Sequence, residues 1–252
     1  MVQINDLVRY CDELLCAGDY RDYAPNGLQV AGTRGVRRVA TAVTASRDVL
    51  EQAERADVDA ILVHHGYFWK GEDPRVVGMK AERLRRLLTS GISLVAYHLP
   101  LDAHRELGNN ACLGRRLELR VMATHDAGGV PGLLWFGELE TPESADAFVD
   151  RVGAALQRRP LRVGDGPAVV QRVAWCTGAA QGFLGDAVAL GADVYISGEV
   201  SERTTHEARE QGVHYLAAGH HATERYGVQA LGSHLAEVFA VDHLHLEDDN
   251  PV

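Results

Sequence analysis

Apolar and polar positions along this chain alternate between short apolar runs and helical periodicity, and the same order occurs twice. Residues 39–66 read VATAVTASRDVLEQAERADVDAILVHHG and residues 173–200 read VAWCTGAAQGFLGDAVALGADVYISGEV. At a constant offset of 134 positions and without a gap, Val39 lies over Val173, Leu50 over Leu184, Ala53 over Ala187 and Asp59 over Asp193. A second match, at an offset of 121, sets GISLVAYHLPLDAH (91–104) over GVHYLAAGHHATER (212–225). The apolar runs predict strands at 39–43, 60–63 and 92–97, and again at 169–176, 194–197, 213–217 and 241–246. Helical spacing predicts helices at 46–55, 79–89, 183–190, 202–211 and 223–238. A further helix is predicted at 108–117, with Asn109 or Asn110 as its cap. The first 16 residues read as an amphipathic helix, with acidic residues among spaced apolar ones.

Strands alternating with helices predict an α/β fold: two pseudo-symmetric α/β lobes with mainly parallel sheets. The stretch 125–166 interrupts the rhythm. It holds AGGVPG (127–132), the strand-like LLWFGELE (133–140) and an expected helix start at Thr141-Pro142. Glycine and proline cluster at Ala127–Gly132, which puts a first lobe at 1–126 and a second at 127–252. The C-terminal helix and strand are expected to return to the first lobe.

In open α/β sheets, ligands bind beyond the C-terminal ends of the strands. His64, His65, Asp102, His220 and Glu224 all fall there, which predicts a metal site at the strand ends between the lobes. His64-His65 ends the apolar run Ala60–Val63. Regular strand geometry points neighbours to opposite faces, so one core and one exposed histidine is the competing reading. His220 and Glu224 are four apart at a helix start, a spacing that puts both on one face. A first-turn ion pair is the plainer reading. Asp102 follows Pro100, which predicts an extended turn out of the strand. That aspartate could bridge two cations or bind backbone amides. His98 and His104 are candidates for partners that orient ligands. His98 and His221 are candidate proton carriers, since imidazole titrates near working pH. Imidazoles and carboxylates without a thiolate suit two divalent ions among Zn, Mn, Fe, Co and Ni. Tyr67, Phe68 and Trp69 could stack on a flat ring or pack a subunit interface.

Composition narrows the classes. A hydrophobic fraction of 46% is ordinary for a globular protein, and no apolar run reaches the roughly 20 residues of a membrane span. A net charge of −10 argues against nucleic acid as a partner. The cysteines, Cys11, Cys16, Cys112 and Cys176, form no metal-binding pattern and fit a reducing cytoplasm.

The segments DYAPNGLQV (22–30), VHHGYFWKG (63–71), HLPLDAH (98–104), GNN (108–110), ISGEVSE (196–202) and AGHHATER (218–225) resemble the Nif-three-like dinuclear-metal family, the GTP cyclohydrolase I type 2 homologues. The resemblance covers essentially the whole chain. It implies ligands at His64, His65, Asp102, His220 and Glu224, two divalent ions per subunit, and a homohexameric ring. The chain departs from some relatives in lacking an inserted domain, and in carrying Ala179 and Ala180 after the Cys-Thr-Gly turn. The expected activity is metal-dependent hydrolysis of a nucleotide-like or heterocyclic small molecule. The competing expectation is a metal-binding regulatory or interaction protein without turnover. No phosphate loop GxxxxGK[ST] is present.

Overall fold

The computed structural model describes residues 1–252. In chain order the elements are α1 (Ile4–Leu14), β1 (Gly27–Val30), β2 (Arg38–Thr44), α2 (Arg47–Arg55), β3 (Ala60–His65), α3 (Gly78–Ser90), β4 (Ser93–Ala96), α4 (Leu99–Ala103) and α5 (Asn109–Arg116). There follow β5 (Arg120–Ala127), β6 (Val130–Ser144), α6 (Ala145–Leu156), β7 (Leu161–Val163), β8 (Val169–Trp175), α7 (Leu184–Ala189) and β9 (Val194–Ser197). The chain ends with α8 (Glu202–Glu210), β10 (His214–Ala217), α9 (His220–Phe239) and β11 (Asp242–His245). It divides into two compact units, Met1–Gly108 with Gly227–Asp249, and Asn109–Tyr226 with Asn250–Val252.

The first unit is built on one sheet in the order β1-β4-β3-β2-β11. All its pairings are parallel except the edge pair of β1 with β4. Both faces are covered, so its strands are apolar throughout rather than alternating. Ala40, Ile61 and Leu94 pack with Val49, Leu50, Ala53, Leu84 and Leu87 of α2 and α3. The residues before or after them, Val39, Leu62 and Val95, pack on the other face with Leu7 and Cys11 of α1 and Val228, Leu231 and Leu235 of α9. The period-two alternation of a strand thus divides one apolar run between two cores. Each such Leu or Ile contributes about 1.5–3 kcal/mol by burial.

The second unit holds the sheet β5-β6-β8-β9-β10-β7. Only β8-β9-β10 is parallel; β5, β6 and β7 add antiparallel edges. The expectation of mainly parallel pairing therefore describes the first sheet and the centre of the second. Val173, Trp175, Ile196 and Leu216 pack with Phe148, Val152 and Leu156 of α6.

The internal repeat is realised strand for strand. Within the first unit Val39 pairs with Ala60 and Ala60 with Ser93. Within the second, Val173 pairs with Val194 and Val194 with His214. The repeated aspartates do the same task. Asp59 Oδ2 accepts the amides of Arg37 (2.8 Å) and Arg38 (3.1 Å). Asp193 Oδ2 accepts those of Gln171 (3.0 Å) and Arg172 (2.7 Å).

Three sequence expectations are corrected. The Gly-Pro cluster at 127–132 is no lobe boundary but the turn of the β5–β6 hairpin. Ala127 pairs with Val130, and Gly128 and Gly129 take the positive φ that a two-residue hairpin turn requires. The first unit ends earlier, at Gly108, and takes up the chain again at Gly227. No helix starts at Thr141-Pro142. Pro142 sits where the β6–β8 register shifts, and the helix opens at Ala145 beneath Ser144, whose Oγ accepts the Ala147 amide at 3.2 Å. Pro100 opens the short helix α4 instead of an extended turn; its missing N–H falls in the first turn, where no intrahelical acceptor exists.

Candidate metal centre

In the first unit, three imidazoles gather where β3 and β4 end. His64 is fully buried, and its Nδ1 lies 2.9 Å from the Tyr97 carbonyl oxygen, so Nδ1 donates there. Its Nε2 lies 3.4 Å from Asp102 Oδ1. His65 Nδ1 is 3.2 Å from Thr44 Oγ1. The two rings stand 4.6 Å apart, side by side at the end of the strand where the pleat's alternation stops. His98, directly after β4, has its ring 5.1 Å from that of His64 and 5.8 Å from that of His65. One nitrogen from each of His64, His65 and His98 lies within 4.8 Å of the others, a group able to hold a metal ion. Asp102, 6% exposed, sits in the first turn of α4.

A loop to which the apolar pattern gives no role builds one wall of this group. Asp22 Oδ1 lies 2.7 Å from His98 Nδ1, and Asp22 Oδ2 accepts the Leu99 amide at 2.9 Å. Asn26 Nδ2 donates to Asp22 Oδ2 at 2.9 Å, and Asn26 Oδ1 accepts the His98 amide at 2.8 Å. Burial alone would raise the Asp22 pKa. The bonds from His98, Asn26 and Leu99 outweigh it and hold the carboxyl at about 2. Trp69 packs edge-on against His98, with centroids 5.0 Å apart. Tyr67 is not available for stacking: it is buried, and its hydroxyl donates to the Ala45 carbonyl at 2.8 Å. His104 does not orient a ligand. Its Nδ1 accepts the amides of Leu107 (3.0 Å) and Glu106 (3.3 Å).

In the second unit, β10 ends at Ala217 and α9 begins at His220. His220 Nε2 lies 3.2 Å from Glu224 Oε2, the contact expected one helical turn apart. On its other side His220 Nδ1 is 2.8 Å from Glu199 Oε1. Burial pulls the His220 pKa down, but Glu224 and Glu199 outweigh it and raise it to about 9. Glu224 is 2% exposed. Gly178 makes room for it: φ is +69°, and a Cβ there would collide with Glu224 Oε1. The close backbone approach is thus made at Gly178, ahead of Ala179 and Ala180. The His221 amide is engaged away from this pair; it donates to the Val252 carbonyl at 2.9 Å.

Each unit therefore presents imidazole against carboxylate, with Nδ1 engaged by the protein and Nε2 the nitrogen to offer a cation. Imidazoles and carboxylates grouped in this way could hold a metal ion, and thiolates take no part. Asp22, Glu199 and Gly178 border these groups and carry no signal in the periodicity, although each lies in or beside a segment the sequence singles out.

The family model described as Duf34/NIF3 (NGG1p interacting factor 3) matches residues 2–251. A GTP cyclohydrolase 1 type 2 homolog of Allochromatium vinosum is 55% identical, covering 100% of this chain and 98% of the relative. One from Escherichia coli K12 is 49% identical, covering 98% of each. Among solved structures, protein ybgI, of unknown function, superposes over 100% of both chains with a TM-score of 0.96 at 48% identity. TTHA1606 from Thermus thermophilus does so over 100% of both with a TM-score of 0.90 at 36% identity. With nearly its full length matched by the family model and by these relatives, this chain belongs to the Duf34/NIF3 family.

Proposed function

We propose that the chain binds two divalent ions through His64, His65, Asp102, His220 and Glu224, and is a metal-dependent hydrolase of a nucleotide-like or heterocyclic small molecule. The relatives named as GTP cyclohydrolase 1 type 2 homologs suggest the substrate class. The observation that carries the reading is the pair of imidazole–carboxylate contacts, His64–Asp102 and His220–Glu224, one in each unit, each with a buried carboxylate. Asp102 and Glu224 would supply the carboxylate ligands, and the four imidazole and carboxylate partners of these contacts together with His65 would hold the ions. When bound, such ions supply Lewis acidity and acidify water. The chain's own residues would fix ligand tautomers through Tyr97, Thr44 and Glu199, and exclude bulk water by burying His64, Asp102 and Glu224. Trp69 is the aromatic surface beside the imidazoles that could meet a planar ring. The family likeness also supports self-association as a homohexameric ring, which mass photometry would test.

A screen of nucleotides and their analogues with metal-loaded protein, run beside Asp102→Ala, tests the activity. Turnover by the parent and its loss in the variant is the expected result. Turnover undiminished in Asp102→Ala would reject the site. The family's description as an interacting factor favours a second reading, a metal-binding interaction protein without turnover. In that case the screen yields no product while metal binding persists.

A further inference from the structure

Two cations on α3 are held over aromatic rings, and one of them has no carboxylate. We propose that Arg83 and Lys80 bind a phosphate group, that of the nucleotide-like molecule proposed above as substrate. The assignment to that molecule rests on the earlier reading; the anion site itself needs no metal.

Arg83 carries the argument. Its Nε is buried and has no hydrogen-bond partner. A charged donor withdrawn from water without a partner is costly. Carboxylates are not scarce in this chain, with 35 acidic residues against 25 basic ones. Three positions further along α3, Arg86 takes two of them, Glu51 at 2.7 Å and Glu54 at 2.8 Å. Arg83 takes none, and its guanidinium lies over the ring of the buried Tyr67, 5.9 Å from the centroid. A guanidinium so placed is matched by an anion from outside the chain, and its planar fork fits the oxygens of a phosphate.

Lys80 stands three residues before Arg83, a spacing that puts both on one face of the helix. Its side chain is 13% exposed, and Nζ lies 5.1 Å from the Phe68 centroid. Glu72 Oε2 pairs with it at 3.1 Å. Phe68 reaches this position through a left-handed backbone, φ +67°. In extended chain Tyr67 and Phe68 would point opposite ways. The left-handed turn brings both rings to the cations of α3 instead. A bulky residue in that conformation costs energy, and such strain gathers at ligand clamps. Here it sets two rings against two cations and restrains both charges. The next residue, Trp69, faces His65 and His98, with ring centroids 5.9 and 5.0 Å away. One short loop thus carries the aromatic support of the cations and the aromatic surface beside the imidazoles. A ligand with a flat ring and a phosphate matches these two features.

The test uses full-length protein kept free of metal by chelator, at about 0.15 M salt, where loose surface attraction is screened. Inorganic phosphate, AMP and adenosine are titrated by calorimetry. The parent is expected to bind phosphate, and to bind AMP more tightly than either phosphate or adenosine. Arg83→Gln is expected to weaken AMP binding about 10–100-fold, the loss of hydrogen bonding to a charged group, and Lys80→Gln to weaken it by less. Arg85→Gln, at an exposed position of the same helix, is expected to leave it unchanged. Thermal melts show whether each variant folds. Should Arg83→Gln fail to, Arg83→Lys takes its place and is expected to weaken AMP binding, since it keeps the charge and loses the fork. No binding of phosphate or AMP by the parent, or parent-like AMP affinity in the Arg83 variants, would overturn the site. An equal loss in Arg85→Gln would overturn it too, as diffuse attraction. Phosphate bound as tightly as AMP would keep the anion site and overturn its assignment to a nucleotide-like substrate. Metal is excluded throughout, so failure here is distinct from failure of the metal titrations or of the turnover screen.

Discussion

The two units share a frame and differ in what they hang on it. In both, three parallel strands run in the same register, an aspartate pins the start of the first of them, and candidate ligands sit where the third gives way to a helix. The first unit puts histidines at the end of β3; the positions matching His64 and His65 in the second are Gly198 and Glu199. The second unit compensates one turn later, with His220 and Glu224 on α9, whereas the first carries Asp102 on α4. A duplicated backbone thus does not duplicate its candidate ligands. It fixes where ligands can stand, and each copy fills different places.

The comparison breaks most severely if one unit's ligands are dispensable. Removing either buried carboxylate, by Asp102→Ala or Glu224→Ala, is expected to reduce bound divalent metal at least about 10–100-fold in affinity, as measured by elemental analysis after dialysis against a chelator series. A loss confined to one unit's variant would mean that the second set is an ordinary ion pair.

A smaller effect separates the matching positions Thr44 and Gly178. Thr44 carries a β-branched side chain at no cost and bonds His65. Gly178 has a positive φ and no room for a Cβ, so Gly178→Ala should destabilise the protein by more than about 1 kcal/mol in denaturant unfolding and displace Glu224. An unchanged midpoint with unchanged metal binding would show that the close packing there is not required.

The pH responses should point in opposite directions. His220, raised to about 9, stabilises metal-free protein fully below its ordinary value of 6.5, and that contribution is lost as pH rises through about 9. Asp22, lowered to about 2, contributes fully above 3.8, and its part is lost as pH falls through about 2. Thermal melts of the single variants His220→Gln and Asp22→Asn across pH should converge on the parent at the alkaline and the acid end respectively. Because His220 is protonated at neutral pH and must lose that proton to coordinate, metal uptake should release it. Calorimetry in two buffers of different ionisation enthalpy would read this, and equal heats would contradict it.

The smallest expected effect is at Asp59 and Asp193. Each accepts two amides at the head of a repeat through one oxygen, and Asn keeps an acceptor there, so Asn at either should cost about 0.5–1 kcal/mol in unfolding free energy.

Much of this was legible in the sequence because the repeat is ungapped: Asp59 over Asp193 and Val39 over Val173 fall on equivalent backbone positions. The apolar runs ending in His64-His65 and the spacing of His220 and Glu224 located the candidate ligands for the same reason. What escaped was non-local or conformational. Asp22 reaches His98 across 76 positions, and nothing in periodicity signals such a contact. Pro100 lies in the first turn of a helix because Asp22 and Asn26, remote in sequence, accept the Leu99 and His98 amides that its own segment leaves uncapped. The Gly128-Gly129 pair turns a hairpin rather than linking lobes, since antiparallel edge strands on an otherwise parallel sheet have no signature of their own.

The central claim is the proposal that this chain binds a pair of divalent cations. Elemental analysis of full-length protein purified without chelator tests it most directly. The account predicts about two divalent ions per chain, both lost on acidification below about pH 6 as the imidazoles take up protons. Protein that carries no stoichiometric metal and takes none up from Zn2+, Mn2+, Fe2+, Co2+ or Ni2+, or that keeps its full complement at about pH 5, would contradict it.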